Sequence, residues 1–378
     1  MSIPLPGHRE RPISSDRKES ACASLGARIG TPIRHPVEVF GDTWSATWAD
    51  DGAVYASADD TRGFGGDCSS NLAVNRIDGL PPEIADVTVN PMDAYGAMGA
   101  LGPDQAHWKA CGLTCVDGVL YLSVSRHVYM TEPFWAQWTW DSSIVRSDDY
   151  GGAWSPAPEL GTSMFPGRNF SAPVFVEYGR DGAAGPHDSD RYVYAISAVG
   201  CWNNGSETTL GRVRRDRIGR LDPRDWEWVQ SFRETGVPDV LTNPAALGPP
   251  RWGPRHETAC PVFRAPGRTS MAGVQYVAPL GLYIMPQWHF PHVDDRPNPM
   301  RWQSCRWDFY QASAPWGPWT PLHSQVFEPE GFYNPTIPSK FISPDGRRLW
   351  LLTCGDFATH AHYALYLVPL DLEVEDDA

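Results

Sequence analysis

The sequence predicts an all-β chain folded as a five-bladed β-propeller with mostly four antiparallel strands per blade, and three observations carry that expectation. Gly and Pro number 35 and 36 of 378 residues, and at that density they punctuate turns and cut helices short. A hairpin-like unit recurs five times along the chain. Each recurrence carries an aromatic residue at the same place, and propellers are built by repeating one such unit around an axis.

The recurring element is a turn followed by a short strand: DDGAVYASADD (50–60), VDGVLYLSVSRH (116–127), DSDRYVYAISAVG (188–200), APLGLYIMPQWHF (278–290) and SPDGRRLWLLTCGDF (343–357). Aligned, they place Tyr55, Tyr121, Tyr194, Tyr283 and Trp350 at one position. Before each turn lies a first apolar strand, TWSATWA (43–49), GLTCV (112–116), APVFVEY (172–178), GVQYVA (273–278) or TIPSKFI (336–342). Two strands meeting at a short Asp/Gly turn make a hairpin. Further strand-like segments follow, including NLAVNRI (71–77), SIVRS (143–147), TLGRVRR (209–215), DFYQAS (308–313) and HYALYLVPL (362–370). The expected organisation is a peripheral arm over residues 1–32 and a single propeller domain over 33–378, with Pro36 to Phe40 as a closing edge strand.

Composition narrows the partners. A formal charge of −14 opposes binding to nucleic-acid phosphates or anionic lipid. No stretch approaches the ~18 apolar residues of a membrane helix. Residues 1–35 lack the apolar run of a secretory signal, so a cytoplasmic protein is expected. Eight cysteines are scattered without metal-ligand spacing, which predicts free thiols rather than a disulfide framework. Seventeen Trp, 14 Tyr and 14 Phe supply a core and leave flat rings for stacking on a ligand such as a sugar.

Hairpin topology converts these repeats into a candidate site. The start of a first strand and the end of its partner share one rim, and that rim surrounds the central funnel if the first strand is innermost. Unit one brings Asp42, Asp59 and Asp60 there; unit two Lys109, Arg126 and His127; unit three Asn169 and Trp202; unit four His256, Glu257, Trp288 and His289; unit five Asn334 and Asp356. Paired carboxylates flanked by amides and Trp suit hydrolysis of a glycosidic bond, in which one protonates the leaving oxygen and the other attacks or activates water. Asp42 is the first candidate for nucleophile or base, with Asp60 and Glu257 as candidate acids. The remaining eleven residues are candidate carbohydrate contacts. Each also has a plainer reading: Asp59 and Asp60 as turn formers, the histidines as structural, and the tryptophans as core. No cofactor is expected beyond a structural cation in the central channel. Two other functions fit the same residues. One is a polysaccharide lyase, with His127 or His289 as base and Lys109 or Arg126 against a uronate; the other is a non-catalytic sugar-binding propeller.

Several segments carry a resemblance. Ser147, Asp149, Gly151 and Trp154 fit the S-x-D-x-G-x-x-W Asp-box of sialidase-like propellers, which implies a structural outer turn away from the active face. GDTWSATWADDGAVYASADDT (41–61), SDRYVYAISA (189–198), GRVRRDRIGRLD (211–222), APWGPWTPL (314–322) and NPTIPSKFISPDGRRLWLLTCGD (334–356) resemble a bacterial five-bladed propeller family of mostly unknown function that includes endo-D-arabinanases. The resemblance spans roughly residues 36 to 372 and implies a glycoside-hydrolase-like fold whose first blade supplies acidic residues, here Asp42 and Asp60. The family's usual Gly-Asp is replaced by Ala58, Asp59, Asp60 and Thr61, so the equivalence is shared between two aspartates. A short imported oligosaccharide suits a cytoplasmic protein better than cell-wall arabinan does.

Overall fold

The computed structural model describes residues 25–37, 39–129, 137–186, 191–233, 248–291, 303–357 and 359–374. Among these, regular structure is β-strand joined by three-residue 3-10 turns, as a chain so rich in Gly and Pro allows. Among the described residues no helix is long and apolar enough to cross a membrane.

The strands form five antiparallel units in chain order. In the first, Val39–Asp42 and Ala46–Trp48 both pair with Val54–Phe64, followed by Ser70–Leu80 and Glu83–Asn90. The second contains His107–Val116, Val119–Tyr129 and Gln137–Ser147. The third runs from Pro173–Glu177 through Tyr192–Ala198, Gly205–Arg214 and Trp226–Phe232 to Pro250–Gly253. The fourth comprises Val274–Val277, Leu282–His289, Cys305–Ala312 and Thr320–Phe327. The fifth is Tyr333–Thr336, Arg348–Cys354 and Tyr366–Val374. The first strands of units three and four run parallel, with Val176 opposite Val274 and Glu177 opposite Gln275, so these inner strands point the same way side by side.

Leu25–Ile29 lies antiparallel along Tyr366–Val374 and covers the outer edge of unit five. An unpaired edge would expose a row of N–H and C=O groups, and the N-terminal strand removes it. This corrects the expected closure by Pro36 to Phe40: Val39–Asp42 instead joins Val54–Phe64 inside unit one. It also gives residues 25–29, assigned to the arm, a place in the sheet; residues 1–24 lie outside the described residues.

Tyr55, Tyr121, Tyr194, Tyr283 and Trp350 each lie on the second strand of their units. The four tyrosines are buried and pack between units. Tyr55 stacks on Tyr150 of the unit-two turn at 5.8 Å between centroids, and Tyr178 of unit three meets Tyr283 of unit four edge-on at 6.0 Å. Burying each such ring contributes about 1.5–3 kcal/mol. The Ser147 to Trp154 turn is tied by Asp149, whose Oδ1 accepts from Ser147 Oγ and Ala153 N, both at 2.8 Å. The seven described cysteines are free thiols, and Cys22 lies outside the described residues.

First strands from all five units supply Ala46, Leu113, Glu177, Gln275 and Thr336 to a small cavity of about 30 Å³, room for about one water. Glu177 is 6 % exposed and its Oε2 accepts a 2.8 Å bond from Thr47 Oγ1. Burial pushes its pKa up to about 8, against the opposing hydroxyl contacts. A raised folded pKa means the folded protein holds the proton more tightly than the unfolded chain. The associated stability is therefore fully present below the unfolded pKa and lost as pH rises through about 8. Glu177→Gln mimics the protonated acid, so its melting temperature should exceed that of the parent by more at pH 9 than at pH 5. A gap of equal size at both pH values would show that Glu177 does not titrate in this range.

Candidate functional site

The site grows from a tight approach in unit one. A Cβ on Gly41 would lie 2.7 Å from Thr61 Oγ1 and 2.9 Å from its Cβ, so only glycine lets Val39–Asp42 lie against its partner strand. Asp42 is thereby set opposite Asp59. Successive strand residues ordinarily face opposite sides, yet Asp59 and Asp60 both line the same cavity. The backbone resolves this at Asp60, whose φ of 41° breaks the alternation and turns its side chain inward, a strained conformation for a residue with a Cβ.

Where unit two meets the cavity, at residues 107–109 and 127–129, alternation holds. His107 and Lys109 lie two apart on one strand, His127 and Tyr129 two apart on the next, and His107 is the cross-strand partner of His127. All four face the cavity. Trp202 and Trp288 with Phe290 add aromatic walls from units three and four, and Tyr333, Phe357, His360 and Tyr363 complete the ring from unit five. Together with Phe40, Thr43, Met98, Gly99 and Gln137 they enclose about 340 Å³, within the range of small-molecule sites.

Lys109 organises the charges. It is 4 % exposed, its ammonium contacts the Asp60 carboxylate directly, and burial that would discharge it is outweighed by Asp60, Tyr129, Asp59 and Asp42, so its pKa is raised. Asp59 is fully buried; Thr43 Oγ1 donates to its Oδ2 at 2.6 Å and Ala110 N to its Oδ1 at 2.9 Å. Burial raises its pKa well above the usual carboxylate range despite Lys109. Asp42 accepts a 2.5 Å bond from Tyr333 Oη; burial, opposed by Lys109 and reinforced by Asp60, lifts it to about 6. Asp60 goes the other way: burial opposes its ionisation, but the Lys109 charge and hydrogen bond hold its pKa below the ordinary value. His127 is pushed down to about 3 by burial and Lys109, so it is neutral at pH 7, with Nε2 3.1 Å from Gln137 Oε1.

The cavity thus gathers Asp42, Asp59, Asp60, Lys109, His127, Trp202 and Trp288 from the residues expected at the rim. The other seven are placed elsewhere. Arg126 follows Trp108 to the opposite face, stacking at 4.3 Å and binding Asp104 and the Ala106 carbonyl. His289 likewise points away from its neighbour Trp288 and faces Asp308 at 3.6 Å. His256 bonds the Pro166 carbonyl at 2.8 Å. Glu257, proposed as an acid, has a side chain 60 % exposed and offers its backbone carbonyl to Asn169 Nδ2, which accounts for Asn169 as well. Asn334 donates to the Met271 carbonyl at 3.2 Å. Asp356 accepts from Thr359 N at 3.2 Å and from His360 N through its carbonyl at 2.9 Å; it holds the turn that carries Phe357 and His360 to the cavity.

Tyr129, Tyr333, Tyr363, His107, Gln137 and His360 line the cavity without having been singled out. Alternation gives a signal for two of them, since His107 and Tyr129 share a face with Lys109 and His127. For metals, one group of three ligating side chains is close enough to share an ion among the described residues, Asp50, Cys115 and Asp181. It lies outside this cavity, and Asp181 Oδ1 there already accepts from Gly118 N at 3.0 Å.

No protein-family model and no curated protein matches the chain. Solved structures do. A candidate hydrolase of Bacteroides ovatus ATCC 8483 is similar over 89% of this chain and 87% of its own, with 13% identity and a TM-score of 0.52, a likeness of fold. The GH43_1 enzyme from Xanthomonas citri complexed with xylose matches over 90% and 89%, with 13% identity and a TM-score of 0.44. CoXyl43, a GH43 β-xylosidase/α-arabinofuranosidase from a compost microbial metagenome in complex with xylotriose, matches over 92% and 96%, with 14% identity and a TM-score of 0.45.

The placement of the charges makes a contrast testable. Lys109→Met leaves buried carboxylates without their cation and should cost about 3–5 kcal/mol at pH 7, and less at pH 5, where the carboxyls take up protons. Glu257→Gln, at an exposed side chain, should stay within about 0.5 kcal/mol of the parent. Urea denaturation of both variants checks this, and equal effects would overturn the assigned geometry.

Proposed function

We propose that the five antiparallel units are the blades of a propeller and that the chain is a glycoside hydrolase acting on a short oligosaccharide at their common funnel. The observation that carries this reading is the divergence of two carboxylates on one cavity. Asp42 is held near a pKa of about 6 while Asp60 is held low by Lys109. Groups whose surroundings push their pKa values apart divide into acid and base. This reverses the roles expected from the sequence, because the raised group is Asp42 and the lowered one Asp60: Asp42 donates its proton to the leaving glycosidic oxygen. Ionised Asp60 takes a proton from the water that adds to the anomeric carbon. Lys109 keeps Asp60 charged, and the Tyr333 hydroxyl orients Asp42. Trp202 and Trp288 supply apolar wall for a sugar face.

A lyase needs a cation free to neutralise a uronate. Lys109 is already enclosed by three carboxylates and Arg126 is engaged by Asp104, which favours the hydrolase. The D-arabinan resemblance makes D-arabino-oligosaccharides the first substrates to try, beside xylotriose, and released reducing sugar is the readout.

Asp42→Asn should keep the fold and lower kcat by about 10³-fold, because an amide cannot deliver the proton. With Asp42 as acid, the parent's kcat should fall as pH rises through about 6 and level off on the acid side until Asp60 protonates. Binding with no released sugar would move the assignment to a non-catalytic module. Parent-like rates for a folded Asp42→Asn variant would remove Asp42 from the chemistry.

A further inference from the structure

Between units one and two the chain crosses the rim of the cavity through residues 95–100, and Met98 and Gly99 of this crossing form part of the cavity wall. Such a crossing has few bonds of its own: Gly96 N donates to the Asp93 carbonyl and Ala100 N to the Ala97 carbonyl. Gly96 and Gly99, with φ of 87° and 80°, add backbone freedom that works against a fixed wall. The loop is nevertheless bound, and one side chain binds it. Asn71 is 1 % exposed. Its Nδ2 donates to the Tyr95 carbonyl at 2.9 Å and to the Ala100 carbonyl at 3.0 Å, and its Oδ1 accepts from Gly99 N at 2.9 Å. Its own backbone N donates to the Gly96 carbonyl at 3.0 Å. Both amide protons and the amide oxygen are therefore spent on one six-residue stretch, in a buried place where an unmade bond is costly.

Asn71 also sits beside the chemistry. It lies between Ser70 and Leu72, the cross-strand partners of Thr61 and Asp59, so it is the residue facing the left-handed Asp60. One amide thus joins the Asp60 strand to the loop.

We propose that Asn71 is a positioning residue that fixes the 95–100 loop as a ligand-contacting wall, so that it governs how tightly a sugar is held without touching the bond that breaks. The assignment rests on the carbohydrate reading of the cavity for its ligand, and on the hydrogen bonds alone for the loop. Removing the amide releases Met98 and Gly99 from the wall, while Asp42, Asp60 and Lys109 keep their own partners. The expected signature is a change in KM with kcat largely retained, as for an interaction made equally in ground and transition states.

Asn71→Ala and Asn71→Asp separate the parts. The aspartate keeps the acceptor for Gly99 N and loses both donors. Hydrogen–deuterium exchange on the full chain should show faster exchange at the Gly96–Ala100 amides in Asn71→Ala, with Gly99 better protected in Asn71→Asp and the strand amides of units three to five unchanged. With xylotriose and D-arabino-oligosaccharides as probes, KM should rise about tenfold in Asn71→Ala, with kcat within about threefold. Parent-like exchange in the loop overturns the proposal. So does a freed loop with unchanged KM, or a kcat loss matching that of Asp42→Asn. If Asn71→Ala exchanges faster throughout, Asn71→Asp decides by the same criteria. A parent protein that neither binds nor cleaves either probe counts against the carbohydrate reading alone, and the exchange comparison then decides the loop assignment by itself.

Discussion

A lysine ammonium taken out of water costs several kcal/mol unless opposite charge meets it, and Lys109 is met by Asp60 directly and by Asp59 and Asp42 around it. The rest of the cavity follows from that arrangement. Three carboxylates against one cation cannot all be ionised without an uncompensated buried charge. The burden is divided: Asp60, in contact with the ammonium, keeps its charge, while burial pushes Asp59 and Asp42 toward the protonated form against the pull of the ammonium. Burial, reinforced by the same ammonium, suppresses charge on His107 and His127. Burial and this one ion together therefore set the protonation of five groups: the ion holds Asp60 charged, and burial drives Asp42 and Asp59 the other way.

The backbone bears a cost so that these groups can meet. Thr43, Asp60, Asn204, Asn334, Asp356 and His360 all have φ between 35° and 59°, a region that residues with a Cβ occupy at a penalty. They fall within or between strands of units one, three and five, and several are tied in place. Thr43 donates to Asp59, and Asn204 exchanges hydrogen bonds with the backbone of Phe290 at 2.8 and 3.1 Å. His360 is held by the Asp356 carbonyl. Phe290 and His360 are cavity residues, so the bonds that stabilise the strained positions also aim the walls.

How much of this was readable in the sequence depends on which physical rule each residue obeys. The five units follow from local turn chemistry and alternation, which one sequence displays in full, and the repeated aromatic residues marked the second strands. Hairpin topology brings Asp42, Asp59, Asp60, Lys109 and His127 to one cavity because strand starts and partner ends share a rim. It overreached where two neighbours were both sent inward. Arg126 beside His127 and His289 beside Trp288 violate the two-residue period, and Asp59 with Asp60 escapes it only through a left-handed φ that no composition announces. Glu257 and Asn169 failed for another reason: they lie outside the strands in short 3-10 turns, where alignment to the repeat gives no direction.

The tyrosines show a different limit. Tyr333 was adjacent to a chosen residue, Asn334, and its hydroxyl is the one that bonds Asp42 across 291 residues of sequence. Nothing local predicts such a contact, because it forms only when the last unit closes against the first. Tyr333–Thr336 pairs with Arg348–Cys354, which pairs with Tyr366–Val374, whose other edge carries Leu25–Ile29. The N-terminal strand therefore stands three strands from the hydroxyl that orients Asp42. A strand remote from the cavity thus shares one sheet with the tyrosine whose hydroxyl bonds Asp42.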